Sequence, residues 1–174
     1  MALSSADIKI AFDALSNEFE QAGERAEFVV VGGAAVVLLF AARESTKDVD
    51  AFFLMPEASK VRAAAERVAR LLDLPDDWLN DGAKGYMVGV TTGALLYESQ
   101  FLIVRAASLA QLLAMKLAAW RDAVDREDAR LLLLRMSGSA DDVWQLVKPF
   151  VLAHQIDKAW YAFQDLWEAL HGSA

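Results

Sequence analysis

The stretch Val30-Val31-Gly32-Gly33-Ala34, with Asp48-Val49-Asp50 beginning fifteen residues after the glycine pair, decides the expected fold. A β-branched run enters a glycine pair, a helix-forming segment follows, and a second strand carries two carboxylates. Side chains two positions apart on a strand point to the same face, so Asp48 and Asp50 are expected to project together. Clustered carboxylates repel each other unless a cation lies between them. Mg²⁺ held by one or two carboxylates plus substrate phosphates meets this need.

The glycine pair has a complementary chemistry. Backbone N–H groups at a glycine-rich helix start bind phosphate oxygens, so Gly32 and Gly33 predict a phosphate site. The alternative for the pair is a tight strand-to-helix turn without a ligand. The alternative for Asp48 and Asp50 is an exposed strand start, but aspartate is depleted in strands, which favours metal binding. Together the two motifs predict phosphoryl or nucleotidyl transfer.

Composition limits the classes of protein that remain. The chain has 174 residues, 56% of them apolar, which suits one domain or a small domain with a helical extension. It has no cysteine and only two histidines, which excludes disulfides and a catalytic thiol and disfavours a zinc site. The N-terminus lacks a signal-peptide pattern, and the longest apolar run, residues 28–42, is too short to span a bilayer. We therefore expect a cytoplasmic protein with no membrane partner.

Hydrophobic periodicity divides the chain into a mixed first part and a helical last part. It predicts helices over 5–22, 33–42, 57–72, 109–121, 124–136, 140–148 and 155–170. Strands are predicted over 27–31 and 48–54, with one or two more over 95–104. This segregation predicts the α+β class: a small mixed β-sheet flanked by helices in residues 1–107, with a helical C-terminal segment packed on that core in residues 108–174.

Lys116 lies inside an apolar helical stripe, four residues after Leu112 and four before Trp120. A lysine there either extends to the helix edge or faces an anion, and a phosphate is the favoured anion near a triphosphate site. Asp125 and Asp128 share a helix face, and the competing interpretation is a helix cap with a capping-box-like start. They can face the same site as Lys116 only if the helix breaks near residues 122–124, where no glycine or proline stands.

Four sequence elements in this order resemble one known superfamily. Gly32-Gly33-Ala34 followed by Arg43-Glu44-Ser45-Thr46-Lys47-Asp48-Val49-Asp50 resembles the signature of the nucleotidyltransferases related to DNA polymerase β. The fuller run is similar to the minimal bacterial type, including the DUF6036 group and the toxins of AbiE-type toxin–antitoxin pairs. Asp77-Trp78-Leu79-Asn80-Asp81 resembles a segment of the DUF6036 group. Residues 113–119 with 125–128 resemble the lysine and Asp-x-x-Asp helical block of the family, so the likeness covers roughly residues 27–136.

The resemblance implies roles for these motifs. Gly32 and Gly33 would hold the nucleoside triphosphate, and Asp48 and Asp50 would bind Mg²⁺. The nucleoside monophosphate would pass from the triphosphate to an acceptor, and pyrophosphate would leave.

The resemblance also directs attention to residues outside these two pairs. Arg43 and Thr46 are candidate nucleotide contacts, although a core carboxylate is the alternative partner for Arg43. Many family members carry a third carboxylate on a following strand, for which Glu98 is the nearest candidate and Asp81 a rival. Lys116 is the candidate phosphate-binding lysine of the helical block.

The acceptor is the least determined part of the expected function. RNA, protein or a small molecule would each serve as acceptor. One form of this hypothesis is a toxin that modifies tRNA or a partner protein and is paired with a cognate antitoxin. The net charge of −8 argues against sequence-blind nucleic-acid binding, while a cationic helix face with Arg62, Arg67 and Arg70 keeps RNA open. The alternative is a non-catalytic nucleotide-binding or protein-interaction module with the same fold. The sequence leaves the oligomeric state open.

Overall fold

The computed structural model describes residues 2–40 and 44–172, and it confirms the α+β class. Within those ranges the α-helices are α1 (Ser5–Ala22), α2 (Gly32–Leu39), α3 (Ala58–Leu72), α4 (Leu109–Ala119), α5 (Ala123–Leu133), α6 (Ala140–Val147) and α7 (Ile156–His171). The strands are β1 (Leu3–Ser4), β2 (Ala26–Val30), β3 (Ser45–Thr46), β4 (Val49–Met55), β5 (Leu79–Asn80), β6 (Leu95–Glu98) and β7 (Leu102–Ala106).

The chain forms two compact units, and each unit consists of two separate segments of the sequence. The first unit comprises Met1–Lys84 and Thr92–Ala107, and the second comprises Gly85–Thr91 and Ser108–Ala174. All the strands belong to the first unit, whereas α4 to α7 belong to the second.

A five-stranded mixed sheet with the order β5-β4-β2-β7-β6 organises the first unit. The central strand β2 pairs antiparallel with β4 and parallel with β7. Its residues Phe28, Val29 and Val30 are fully buried, as the apolar run without alternation predicts for a strand covered on both faces. Strands β4 and β5 are parallel, whereas β6 and β7 are antiparallel. Strands β1 and β3 form a separate antiparallel pair.

Helix α1 begins and ends at residues suited to those positions. The Ser4 hydroxyl accepts a hydrogen bond from the backbone N–H of Asp7, whose carboxylate accepts one from the backbone N–H of Ser4, which makes a capping box. Gly23 closes the helix in the left-handed conformation. The buried face of α1 places Phe12 against Phe28 of the sheet and against Trp78. This packing fixes the segment just before β5 to the core.

The second unit is built from α4 to α7. Helix α6 packs Trp144 against Trp160 and Phe163 of α7, and Phe163 also contacts Trp167. Trp144 and Trp160 therefore pack against each other, and Phe163 connects them with Trp167.

Gln111 of α4 is fully buried and uses its whole amide group inside this unit. Its Oε1 accepts from the backbone N–H and the hydroxyl of Thr91, at 3.0 and 2.7 Å. Its Nε2 donates to the carbonyl oxygens of Val88 and Gly89. One side chain therefore fastens the segment 88–91 to α4.

Within the described residues, every helix is too short or too polar to cross a lipid bilayer.

Candidate functional site

The turn between β2 and α2 depends on Gly32. This residue begins the helix with a φ of +62°. Glycine adopts this conformation readily, whereas it is unfavourable for residues that have a Cβ atom. A Cβ atom at this position would lie 3.5 Å from Oδ2 of Asp50. The backbone N–H of Val31 donates to the carbonyl oxygen of Asp50 at 2.9 Å. The fold therefore brings the glycine turn directly against the strand that carries the aspartates.

Strand β4 shows the alternation that the sequence predicts. Val49 and Ala51 are buried, whereas Asp48, just before the strand, and Asp50 are only half-buried. Since side chains alternate between faces, Asp48 and Asp50 project from the opposite side to their buried neighbours.

Asp48 and Asp50 fit a magnesium ion whose remaining ligands come from a substrate and water. Among residues 2–40 and 44–172, no group of three or more histidine, cysteine, aspartate or glutamate residues could hold a metal on its own. Two carboxylates beside a glycine turn suit Mg²⁺ bound by one or two carboxylates and completed by phosphate oxygens and water.

Thr46 and Arg43 have different outcomes. Thr46 is buried, and its hydroxyl donates to the carbonyl oxygen of Asp48 at 3.2 Å. Its side chain therefore closes the turn that leads into β4. Arg43 lies outside the described residues.

The neighbouring strand β5 brings further polar groups to β4. Asn80 is the register partner of Asp50, and Asp81 follows it. Arg62 donates to both carboxylate oxygens of Asp81, and Lys84 Nζ lies 2.6 Å from Oδ2. The hydrogen bond from Lys84, together with the one from Arg62, lowers the pKa of Asp81 against the opposing effect of burial.

Lys84 is a cation that our sequence analysis missed. Its Nζ lies 5.4 Å from the ring centroid of Phe52, which stands two residues after Asp50 on β4. The available signal is the Asp81–Lys84 spacing, which places two opposite charges one turn apart. A positive charge is thus held beside the strand that carries the aspartate pair.

The structure does not bring Glu98 to this place. Glu98 is exposed on the edge strand β6, which is separated from β4 by β2 and β7. It pairs with Ile103, which aligns through Glu27 with Met55 at the far end of β4. From the usual strand spacing and rise, Glu98 lies about 14 Å across the sheet and about 17 Å along it from Asp50.

Lys116 lies in the second unit and faces two carboxylates. Its Nζ is 3.0 Å from Asp125 Oδ1 and 2.7 Å from Asp128 Oδ2, and all three residues are buried. The anions at Lys116 within this unit are therefore the two aspartates of α5. Burial raises the pKa of Asp125, but the hydrogen bonds and charge of Lys116 and Arg121 outweigh it, so the net shift is downward.

A break between α4 and α5 makes this ion cluster possible. Trp120 ends α4 in the left-handed conformation, with a φ of +37°. Asp122 then caps α5 by accepting from the backbone N–H of Asp125 at 2.9 Å. The required break therefore occurs without a glycine or proline, and the helix cap is Asp122, not Asp125.

One comparison of the chain with known proteins gives a match. A family model described as a nucleotidyltransferase of unknown function, DUF6036, matches residues 9–170. No curated protein and no solved structure matches significantly.

Proposed function

Because the chain belongs to the DUF6036 family, described as nucleotidyltransferases of unknown function, we propose that it transfers a nucleoside monophosphate from a triphosphate to an acceptor in a magnesium-dependent reaction. One observation carries this proposal: the left-handed Gly32 turn lies against Asp50, with Val31 hydrogen-bonded to the same residue. A phosphate-binding turn and a metal-binding strand need this proximity to act on one substrate.

The triphosphate is bound at the start of α2. Val31 occupies the N-cap position and has no side-chain acceptor, so it leaves the first backbone N–H groups of the helix to other partners. The positive end of the helix dipole and these N–H groups attract phosphate oxygens. Gly32 and Gly33 allow the substrate to approach the backbone closely, and Lys84 supplies a positive charge beside β4.

Asp48 and Asp50 hold Mg²⁺. When bound, Mg²⁺ neutralises phosphate charge and lowers the pKa of an acceptor hydroxyl. The acceptor hydroxyl gives its proton to water, and its oxygen forms a bond to the α-phosphorus while the bond from that phosphorus to pyrophosphate breaks. The glycine turn fixes the position of the triphosphate and stabilises its negative charge.

The test is label transfer from each α-labelled nucleoside triphosphate, with Mg²⁺, to separated RNA, protein and small-molecule fractions. Asp48→Asn/Asp50→Asn is expected to abolish transfer while circular dichroism and the urea midpoint stay close to wild type. The matched control is Glu20→Gln/Glu66→Gln, which also neutralises two exposed carboxylates of the first unit, on helices α1 and α3. Equal activity in the aspartate double variant and the wild type would refute the metal assignment.

A second candidate function is a non-catalytic nucleotide-binding module. The observation that favours it is the lack of a third metal-binding carboxylate beside Asp48 and Asp50 in the described part of the chain. Mg²⁺-dependent triphosphate binding by the wild type, lost in Asp48→Asn/Asp50→Asn but without transfer to any fraction, would support this candidate over the enzyme.

Whether Asp81 or Glu98 contributes to transfer is tested by comparing two variants. Asp81 follows the register partner of Asp50, whereas Glu98 lies at the opposite end of the sheet. Asp81→Asn is therefore expected to reduce transfer more than Glu98→Gln. The reverse order would contradict this assignment.

The resemblance to AbiE-type toxins adds a cellular test. We expect induced wild-type protein to slow bacterial growth, Asp48→Asn/Asp50→Asn not to do so, and co-expression of an adjacent antitoxin gene to restore growth. Growth that is unaffected by an enzyme with demonstrated transfer activity would exclude the toxin role and leave the transferase intact.

A further inference from the structure

A cavity of about 390 Å³ opens in the second unit, beside the end of α4, the start of α5 and the last part of α7. Its volume lies within the range of small-molecule sites. The residues that line it include one aromatic ring, a buried leucine and four charged side chains: Trp120, Leu166, Arg126, Glu127, Arg130 and Asp165. The charges sum to zero, so the cavity is neither an anion trap nor a cation trap.

The backbone conformation of Trp120 is energetically unfavourable. Its φ of +37° is in the left-handed region, which bulky residues rarely adopt. Such conformations persist where the surrounding structure fixes them, and they concentrate at binding sites. The backbone N–H of Trp120 donates to the carbonyl oxygen of Lys116 at 2.8 Å and closes α4. The indole is thereby held at the cavity, only half-buried.

The cavity has one cation available to a ligand. Arg130 is engaged by Glu127 through two hydrogen bonds of 2.9 Å. Arg126 forms no ion pair with any described residue, and its Cζ lies over the Trp120 ring, 5.6 Å from the ring centroid, in a cation–π contact that a stacked base would share or replace. The Asp165 carboxylate, which lines the same cavity, supplies a hydrogen-bond acceptor.

We propose that this cavity binds one nucleotide unit, with the base stacked on Trp120, its phosphate at Arg126 and its amino group donating to Asp165. Aromatic side chains stack bases regardless of sequence, and guanidinium groups pair with phosphates. A triphosphate does not suit the site, because a single unpaired cation faces two carboxylates. A nucleotide within single-stranded RNA brings one phosphate and is the source that this charge balance favours. The choice of RNA rests on the proposed function, whereas nucleotide binding does not.

The test is the affinity of the protein for a short single-stranded RNA that carries 2-aminopurine, measured by the fluorescence of that base. EDTA is present and triphosphate is absent, so that no transfer takes place. Trp120→Asn removes the ring, and asparagine tolerates the left-handed backbone, so loss of binding would not reflect a strained fold. We expect affinity to fall about tenfold. The control is Tyr86→Asn, which removes an exposed aromatic ring of the same unit that does not line the cavity.

The phosphate contact has a separate signature. A single contact to single-stranded RNA gives a slope of about −0.7 for log affinity against log salt concentration. Arg126→Gln is expected to bring this slope near zero, whereas Lys148→Gln, at an exposed lysine away from the cavity, keeps it. Equal binding by wild type and Trp120→Asn would overturn the proposal, as would a wild type that binds neither RNA nor mononucleotide.

Two further arms separate the sources and the proposals. Competition by free adenosine monophosphate at concentrations near those of the RNA would assign the site to free nucleotides, and failure to compete would assign it to RNA. Asp48→Asn/Asp50→Asn is expected to bind the RNA like wild type. Loss of transfer with retained binding therefore separates a failure of the proposed chemistry from a failure of this site.

Discussion

The backbone N–H of Val31 donates to the carbonyl oxygen of Asp50 across 2.9 Å, so the residue before the glycine turn is fastened to an aspartate of β4. The two lie nineteen positions apart in the sequence. This bond couples the position of the proposed phosphate-binding turn to that of the carboxylates.

The Gly32 turn gives the first prediction. Gly32→Ala is expected to lower the free energy of unfolding by about 1–2 kcal/mol, because alanine disfavours a positive φ. The added methyl also approaches the Asp50 carboxylate, so transfer and triphosphate affinity should fall. Urea unfolding and label transfer measure the two effects.

The control for this variant is Gly23→Ala. Gly23 has a similar φ of +65°, with open space where its Cβ would lie. It should show a comparable loss of stability with full transfer activity. Loss of transfer in both variants would mean that Gly32 acts only through stability.

The second prediction concerns the buried ion cluster of Lys116 with Asp125 and Asp128. Lys116→Met removes the cation that the two buried carboxylates share, so we expect a loss of about 3–5 kcal/mol in urea unfolding. Adding Asp125→Asn and Asp128→Asn should recover much of that loss because the two buried negative charges that Lys116 balances are then absent. Glu127→Gln, in an exposed pair, should cost at most about 1 kcal/mol. A Lys116→Met variant no less stable than Glu127→Gln would contradict the cluster.

The third prediction follows from the lowered pKa of Asp125. A carboxyl with a lower pKa in the folded state than in the unfolded chain stabilises the fold above its unfolded pKa of about 4. That contribution is lost as the pH falls from about 4 toward the folded pKa. Asp125→Asn should therefore be less stable than wild type near pH 7 but lose less of its stability on acidification. Urea midpoints at pH 7 and below pH 4 measure this, and parallel acid profiles would refute it.

The fourth prediction concerns Trp78, whose Nε1 donates to the carbonyl oxygen of Ala65 at 3.0 Å in the fully buried core. Trp78→Phe removes this donor and leaves space, so the free energy of unfolding should fall by about 1–3 kcal/mol. The Trp78 carbonyl also accepts from Val49 at the start of β4, so transfer should weaken as well. Trp167→Phe, in the tail, serves as the comparison and should leave transfer unchanged.

Much of the fold could be predicted because its signals are local. The amphipathic pattern and Gly23 define α1 over Ser5–Ala22, the predicted range. The burial of β2 follows from its composition, and β4 lies within one residue of the predicted bounds. The two-residue strands β1, β3 and β5 were not predicted, because two residues carry no periodicity.

The rest depends on contacts between distant residues. Whether Glu98 reaches Asp50 is decided by strand order, which no local pattern contains. The helix break at Trp120 has no glycine or proline signal, and only the capping aspartate Asp122 marks it. The carboxylate partners of Lys116 depend on that break, so the sequence favoured a phosphate instead.

The Gln111 amide also bears on how such a chain can evolve. Its partners Thr91, Val88 and Gly89 are encoded upstream of the last strands of the sheet, although they belong to the same unit as α4. A recombination crossover at residue 107 would therefore separate this buried amide from all of these partners, and buried unsatisfied amides are costly. Exchange of the C-terminal helices between homologous chains should therefore succeed only when residues 85–91 are exchanged as well. The two segments of the second unit are thus inherited together.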